Sequence, residues 1–185
     1  MPALALPDPP LSDGVVALRP WTPADIPALV EACQDPEIPR RTLVPSPYTE
    51  DDARGYLQRV AAGWGDGARA TFAVVDAADR DAPLGSAGLQ AIDWDQLVAD
   101  VGYWLAAPAR GRGFATRAVE LLAGWAFGPL GLERLELRTN DDNAASRAVA
   151  ERAGFAPSGG PLIRRPECDH MPDVFFARLR GGSDH

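Results

Sequence analysis

Two arginines alternate with two glycines in an order that is typical of an anion-binding turn. They are Arg110, Gly111, Arg112 and Gly113, and they separate a predicted strand from a predicted helix. Glycines let the backbone approach a ligand closely, and the first amides of a helix have no partner within it, so such a turn can hold a pyrophosphate. The arginines would add charged hydrogen-bond donors. The alternative is that the two glycines only allow the chain to turn.

Other well-known ligand sites do not fit the sequence. All 18 basic residues are arginines, which excludes both a Walker-type phosphate loop and a lysine Schiff base. The dinucleotide fingerprint of Rossmann folds fails because Thr116 stands where its third glycine would be. Cys33 and Cys168 stand alone, without a CxxC pair, so a zinc site is not expected. We therefore predict a phosphate-binding turn without a metal.

A second pair of polar residues lies farther along the chain. Asn143 and Ser146 are three residues apart at the start of a predicted helix that follows a strand. Asparagine at such a position often caps the helix by accepting a hydrogen bond from a backbone N–H. A capping pair explains Asn143 as well as a ligand contact does.

Taken together, the two motifs resemble those of one protein family. The first resembles the acyl-CoA signature of the GNAT superfamily in the pattern Arg110-x-x-Gly113-x-Ala115. The second resembles the RimJ/RimL-type branch of that superfamily in the pattern Asn143-x-x-Ser146, followed by Ala-Gly-Phe155. The two patterns in this order are far more specific than either alone. The resemblance extends from about residue 15 to residue 179.

The resemblance implies acetyl-CoA as co-substrate and a cleft to hold it. In this family the sheet splays between its fourth and fifth strands, here Val98 to Leu105 and Arg134 to Arg138. The pantetheine arm would lie beside the fourth strand, and the pyrophosphate would rest on the turn. The implied cofactor-binding residues are Trp104, Leu105, Ala106, Arg110, Gly111, Arg112, Gly113, Phe114, Ala115, Thr116, Asn143 and Ser146.

The same resemblance implies direct transfer of the acetyl group to an amine. A backbone N–H at a bulge near Leu105 would stabilise the oxyanion, an effect of about 3 kcal/mol. Many relatives protonate the leaving thiolate with a tyrosine of the last helix, but the matching residues 148–153 contain none, so Ser146 is the candidate acid. Glu136 and Asp100 are the candidate bases. For both carboxylates the alternative is an ordinary charge between neighbouring strands.

The residues leave the acceptor open between a protein N-terminus and a small-molecule amine. A net charge of −8 would attract cationic amines over a Debye length of about 10 Å and repel nucleic acid.

Two other functions also stay open: a non-catalytic acyl-CoA sensor, and a nucleotide-binding protein that uses the same turn. The missing lysine and the missing magnesium-ligating pattern count against the second. Family members often dimerise, so a homodimer is open too.

The elements that must position these residues follow from periodicity and turn signals. Apolar runs predict strands, and apolar residues at helical spacing predict about four helices. The order implies an α+β domain with a mixed, mostly antiparallel sheet. Strands are predicted at 15–18, 71–75, 84–92, 98–105, 134–138, 162–165 and 174–179. Helices are predicted from Thr22 to Pro36, from Thr49 to Gly63 and Gly65, at 113–127, and from residue 142 or 143 to residue 153, with a loop from Pro36 to Pro47.

Length and composition predict one domain at 15–180, a flexible lead at 1–14 and a flexible tail at 181–185. Apolar residues make up 46% of the chain, which is ordinary for a folded protein. No basic segment precedes an apolar run at the start, and no apolar run is long enough to span a membrane. We expect a cytoplasmic protein with no membrane partner.

Overall fold

A seven-stranded sheet forms the centre of the molecule. The computed structural model describes residues 3–160 and 173–181, so the predicted strand at 162–165, Cys168 and His170 lie outside the described residues. The strand order is β1-β2-β3-β4-β5-β7-β6, and every neighbouring pair is antiparallel except β4 and β5. The strands are β1 (Val16–Arg19), β2 (Ala70–Asp76), β3 (Pro83–Asp93), β4 (Val98–Leu105), β5 (Arg134–Asn140), β6 (Ala156–Ser158) and β7 (Asp173–Leu179).

Five α-helices flank this sheet in the described part of the chain. They are α1 (Ile26–Ala32), α2 (Glu37–Arg41), α3 (Glu50–Asp66), α4 (Phe114–Phe127) and α5 (Ala144–Arg152). The mostly antiparallel α+β architecture confirms the predicted fold class. No helix of the described residues has the length and apolar composition that crossing a membrane requires.

Helix α2 corrects the prediction of a loop between Pro36 and Pro47. Pro36 is the N-cap of this helix, and Pro39 lies in its first turn. Prolines are tolerated there because the N–H groups of the first turn have no partner within the helix in any case. Ile38 of the same helix is buried and packs with Leu29 of α1, so tertiary packing stabilises a segment whose local sequence suggests irregular structure.

Helix α3 corrects the prediction that Gly63 and Gly65 would end it. The helix continues to Asp66 and ends at Gly67, whose φ of 74° is left-handed. At Gly63 a Cβ would come within 2.7 Å of the Arg69 Cβ, so glycine is needed there for close packing. The glycine that signals a helix end is therefore Gly67, because only glycine adopts this conformation without strain.

The edge strand β6 was not predicted. It is short, contains Pro157 and pairs with β7 through Ala156↔Ala177, Pro157↔Phe176 and Ser158↔Phe175. A proline is tolerated there because an edge strand has one side that is not part of the hydrogen-bonded ladder.

The two faces of the sheet carry separate apolar layers. One layer lies under α4 and includes Phe72, Leu122, Leu135 and Leu137, all at most 1% exposed. The other layer lies under α1 and α3 and contains Leu29, Cys33, Ile38, Tyr48 and Ala53. Because side chains alternate along a strand, Glu136 between Leu135 and Leu137 points away from the α4 layer. This alternation decides which functional side chains share a face.

Strands β4 and β5 separate partway along their length. They pair in parallel from Val98↔Arg134 to Val101↔Leu137. Beyond that point β4 continues to Leu105 along β3, while β5 continues to Asn140 along β7. The two strands therefore diverge and leave a gap between residues 102–105 and residues 138–140, which confirms the predicted splay.

Candidate active site

The turn from β4 to α4 presents free backbone amides at one end of the gap. Gly111 and Gly113 have φ values of 74° and 78°, and a Cβ at either would meet nothing within 4 Å. Gly113 is the N-cap of α4, and no side chain caps this helix end. The amides of the first turn, from Gly113 to Thr116, thus lack partners within the helix and face open space around the glycines. Such an end attracts anions.

The two arginines of this turn have different surroundings. Arg110 Nε donates to the Leu105 carbonyl at 3.0 Å, and Arg110 Nη2 lies 2.7 Å from Asp35 Oδ2. The Arg112 side chain is half exposed, lies over the Phe114 ring at 4.5 Å, and is 3.7 Å from Asp76. Arg110 is thus held by protein groups at the end of β4, whereas Arg112 is more loosely held.

The end of β4 has a regular register, without the bulge that was expected near Leu105. Pairing with β3 runs uninterrupted from Gly85↔Leu105 to Gln90↔Asp100, and the irregularity lies between Gln90 and Asp93. The Ala106 N–H donates to Leu84 O at 2.9 Å, toward β3. Because successive N–H groups of a strand point to opposite sides, the Leu105 N–H is directed toward the gap. Regular strand geometry thus supplies the donor direction that a bulge was expected to give.

Trp104 and Tyr103 project from opposite faces of β4. Trp104 packs against the layer under α1 and α3, and Tyr103 against the layer under α4. The predicted pantetheine-binding segment from Trp104 to Ala106 thus borders the gap with its backbone.

Asn143 and Ser146 lie where β5 leads into α5, on the other wall of the gap. Asn143 Oδ1 accepts a hydrogen bond from the Ser146 N–H at 3.1 Å. The capping interaction that the spacing suggested is therefore present. It fixes the Asn143 side chain at the mouth of the gap.

Tyr103 was not among the site residues predicted from the sequence. Its Oη lies 2.9 Å from Ser146 Oγ, and this hydrogen bond connects β4 with α5 across the gap. Burial raises the pKa of Tyr103 to about 12, although the hydrogen bond with Ser146 acts in the opposite direction. The available signal was the absence of a tyrosine in residues 148–153 combined with a tyrosine on the strand beside the expected cleft.

The two candidate bases are neighbours on the opposite face. Asp100 and Glu136 are direct partners in the parallel register of β4 and β5, and they are 5% and 4% exposed. Arg134 Nε donates to Glu136 Oε1 at 2.8 Å. Both carboxylates thus lie where the strands still pair, immediately before the gap begins, whereas Tyr103 and Ser146 lie on the α4 and α5 side.

The segment from Asp35 to Arg41, which includes helix α2, contacts both walls of the gap. Asp35, which precedes this helix, pairs with Arg110 beyond the end of β4. On the other wall, Arg40 and Arg41 both pair with Asp142, the residue before Asn143; the Arg40 distance is 3.3 Å. The segment between α1 and α3 is therefore held at the ends of both diverging strands.

The described part of the chain contains neither a cluster of metal-binding side chains nor a reactive thiol. No group of three or more His, Cys, Asp or Glu residues could hold a metal ion there. Cys33 is buried, and burial raises the pKa of its thiol to about 12. A buried, protonated thiol is a poor nucleophile, so Cys33 is not a candidate for covalent catalysis.

Comparison with known proteins agrees with this geometry. The acetyltransferase (GNAT) domain family matches residues 16–156. The uncharacterized N-acetyltransferase p20 of Bacillus licheniformis is 27% identical over 145 residues, which cover 78% of this chain and 80% of that protein.

Two solved acetyltransferases share the fold. An acetyltransferase from Agrobacterium tumefaciens has a TM-score of 0.73 at 25% identity, covering 96% of this chain and 98% of its own. RimL, a ribosomal L7/L12 α-N-protein acetyltransferase solved in complex with coenzyme A, has a TM-score of 0.77 at 21% identity, covering 94% of this chain and 98% of its own. The family match and the open turn beside diverging strands lead to one assignment. This chain belongs to the GNAT acetyltransferase family and is an N-acetyltransferase.

Proposed function

We propose that this protein transfers an acetyl group from acetyl-CoA directly to a primary amine, either a protein N-terminus or a small-molecule amine. The observation that carries this proposal is the gap between β4 and β5, which is bordered at one end by the uncapped first turn of α4. RimL, which has the same fold, was solved with coenzyme A, and this supports the choice of co-substrate.

The residues of the gap fit the parts of acetyl-CoA by their chemistry. The amides from Gly113 to Thr116 suit a pyrophosphate, and the exposed Arg112 adds a positive charge. The edge of β4 from Trp104 to Ala106 offers backbone groups to an extended arm, as an added strand would require. Acetyl-CoA supplies the activated acetyl thioester when bound.

Three groups of the chain would then act on the reaction. The Leu105 N–H, directed toward the gap, would donate to the carbonyl oxygen, a contribution of about 3 kcal/mol. Ser146 would donate to the departing sulfur from the other wall. Glu136 or Asp100 would take the proton that the amine loses. These two carboxylates lie on the face away from Ser146, so acid and base would approach the gap from opposite faces.

The acceptor that needs the least help from a base is an α-amine. An α-amine with a pKa near 8 is about one-tenth neutral at pH 7, whereas a lysine amine costs roughly 4.6 kcal/mol to deprotonate. Glu136 already accepts a hydrogen bond from Arg134, which leaves it less available as a base. This arrangement favours α-amines, including protein N-termini, over lysine side chains.

The test is CoA release from acetyl-CoA in the presence of a panel of amines. The panel contains peptides with Ser or Ala N-termini, free amino acids, polyamines and a lysine side-chain peptide. The variants are Ser146→Ala, Glu136→Gln and Asp100→Asn, with Glu120→Gln on the exposed side of α4 as the matched control. We expect an α-amine to stimulate release, and we expect Ser146→Ala and at least one of the two carboxylate variants to lower kcat while CoA binding persists.

Other outcomes would separate the alternatives. Tight binding of acetyl-CoA, with no amine acetylated, would support a non-catalytic acyl-CoA sensor. Absence of binding would refute the proposal. If ATP or NAD raised the melting temperature and CoA did not, a nucleotide-binding function of the turn would be supported.

A further inference from the structure

One hydrogen bond in the gap has no role in the reaction described above. Tyr103 Oη and Ser146 Oγ are 2.9 Å apart, and the two residues belong to opposite walls of the gap. The Ser146 N–H is already bound by Asn143 Oδ1, so the backbone of Ser146 is fixed independently of its hydroxyl. The phenol of Tyr103 therefore acts on the hydroxyl of Ser146 and on nothing else at this residue.

The direction of this hydrogen bond decides what Ser146 can do. A serine hydroxyl has one hydrogen to donate and two lone pairs to accept with. If Ser146 donated to Tyr103, its only hydrogen would be used. If Tyr103 donates, the hydrogen of Ser146 is free to point elsewhere. A phenol is the more acidic of the two groups and hence the better donor.

Tyr103 is a poor source of the proton that the sulfur gains. Burial raises its pKa to about 12, whereas a thiol has a pKa of about 8.5. Complete transfer from the phenol to a thiolate would be unfavourable by a factor of about 10³. In the net reaction the amine loses one proton to Glu136 or Asp100 as its N–C bond forms, and the sulfur gains one by way of solvent after the C–S bond breaks. Ser146 is left to stabilise the sulfur by a hydrogen bond.

We propose that Tyr103 is a positioning residue whose phenol donates a hydrogen bond to Ser146 Oγ and thereby directs the Ser146 hydroxyl hydrogen at the sulfur of CoA. Tyr103 itself neither gains nor loses a proton in the reaction. This inference rests on the proposed function, since it requires the sulfur to lie beside Ser146. In this chain Tyr103 of strand β4, acting through Ser146, would take the place of the tyrosine that relatives carry in the last helix.

The test measures the pKa of the CoA thiol while CoA is bound, from the ultraviolet absorbance of the thiolate. Spectra of the complex with desulfo-CoA, which lacks the sulfur, are subtracted so that tyrosine ionisation cancels. A hydrogen bond from Ser146 stabilises the thiolate, so the bound thiol is expected to be more acidic than that of free CoA. No acceptor amine is needed.

Four variants isolate the role of Tyr103. Ser146→Ala should raise the thiol pKa by about one pH unit, and Tyr103→Phe by about half as much. In the Ser146→Ala background, Tyr103→Phe should add nothing. Ser146→Thr keeps the hydroxyl and should retain the acidic thiol. The matched control is Tyr56→Phe, which removes a similar buried contact, 2.8 Å from Tyr56 Oη to Ser86 Oγ, on the other face of the sheet.

Each result decides between the alternatives. The positioning role would be overturned, and the acetyltransferase proposal left intact, by any of three results. Tyr103→Phe could change the thiol pKa equally with and without Ser146, it could leave the thiol pKa unchanged, or Tyr56→Phe could change it by the same amount. Failure of the wild-type protein to bind either CoA or desulfo-CoA would overturn both. A wild-type bound thiol with the same pKa as free CoA would overturn this inference alone.

Discussion

Arg41 and Asp142 form an ion pair although 101 residues separate them in the chain. This ion pair connects α2 with the loop between β5 and α5, beside Asn143. Arg40 contributes a second contact to the same carboxylate at 3.3 Å. At the other wall of the gap, the Asp35–Arg110 pair fastens the start of this segment beyond the end of β4. The segment from Asp35 to Arg41 is thus anchored beyond the ends of both diverging strands.

Removing the Asp142 carboxylate is expected to loosen α2 without unfolding the protein. Exposed ion pairs contribute little to global stability, so Asp142→Asn should leave Tm unchanged within error. Local opening of α2 should become more frequent, because both arginines lose their contact with the loop before α5 and keep only Glu37 of their own helix. Hydrogen exchange of residues 37–41 measures this, with Asp141→Asn as the control. Equal exchange rates in both variants would show that the ion pairs do not hold the helix.

The same contact has a definite pH dependence. The hydrogen bond from Arg41 holds the pKa of Asp142 below its ordinary value of 3.8. A carboxyl with a depressed pKa in the folded state keeps its contribution above the ordinary pKa and loses it as the pH falls through the folded value. The difference in exchange between the wild type and Asp142→Asn should therefore be constant from pH 7 to about 5 and shrink below about 3.8. A difference that shrank near neutral pH would contradict this assignment.

Two glycines have the same left-handed conformation, so a comparison of their alanine variants distinguishes an effect on ligand binding from an effect on stability. Gly113 and Gly131 have φ values of 78° and 70°, and neither has an atom within 4 Å of where a Cβ would lie. Alanine at either position should cost roughly 1 to 2 kcal/mol from backbone strain. Only Gly113→Ala should also weaken CoA binding, by about tenfold or more, because its Cβ would occupy the space in front of the α4 amides. Calorimetric titration and thermal unfolding measure the two effects, and equal CoA affinities would place the pyrophosphate elsewhere.

Sequence patterns predicted most of the elements whose structure depends on neighbouring residues. The bounds of β4 were predicted correctly, and those of α4 within a residue, because strand alternation and helical spacing are local signals. The turn between them was located because two glycines with left-handed φ values leave a local signature. The splay of the sheet came only from resemblance to a family.

What the sequence did not predict depends on contacts between distant residues. Helix α2 forms because Ile38 packs into the layer under α1 and α3 and because its arginines meet Asp142. Tyr103 reaches Ser146 only after β4 and α5 have packed together, 43 residues apart in the chain. No periodic pattern encodes either contact, so local reasoning gave a loop in the first case and missed the residue in the second.

The arginines of the turn are expected to act differently in binding. Arg112 is loosely held and half exposed, so Arg112→Gln should lower CoA affinity by about tenfold at low salt and by less at high salt, without a change in Tm. Arg152→Gln, at the exposed end of α5, is the charge-matched control. Titrations with CoA at two salt concentrations measure the effect. An affinity loss that did not depend on salt would argue against a phosphate contact of Arg112.

Arg110 is expected to act mainly through structure. Its side chain connects the Leu105 carbonyl with Asp35, so Arg110→Gln should lower Tm and increase hydrogen exchange at the end of β4. Any loss of CoA affinity should accompany this loosening. A variant with the wild-type Tm but much weaker binding would show instead that Arg110 contacts the ligand directly.

The ion pair of Arg19 and Asp25 should dominate the acid sensitivity of the N-terminal part of the domain. Asp25 is 3% exposed and accepts two hydrogen bonds from Arg19, at 2.7 and 2.8 Å, and one from the Thr22 N–H at 2.8 Å. Asp25→Asn leaves Arg19 partly buried without its charged partner. We expect a loss of about 2 to 3 kcal/mol near neutral pH, or roughly 4 to 12 °C in Tm.

The pH dependence of this loss identifies its cause. Burial alone would raise the pKa of Asp25, but the hydrogen bonds from Arg19 and Thr22 outweigh it and hold the pKa below the ordinary value of 3.8. The stabilisation is therefore complete above about 3.8 and disappears as the pH falls through the folded-state value. In thermal unfolding from pH 7 downward, the Tm difference between wild type and Asp25→Asn should be constant above about pH 3.8 and shrink below it, while the exposed Asp51→Asn follows the wild type throughout. Below the folded-state pKa, Asp25 of the wild type is protonated, so residue 25 carries no charge in either protein. If the Tm difference between wild type and Asp25→Asn stayed the same well below that pKa, the variant would act through packing and not through the lost charge.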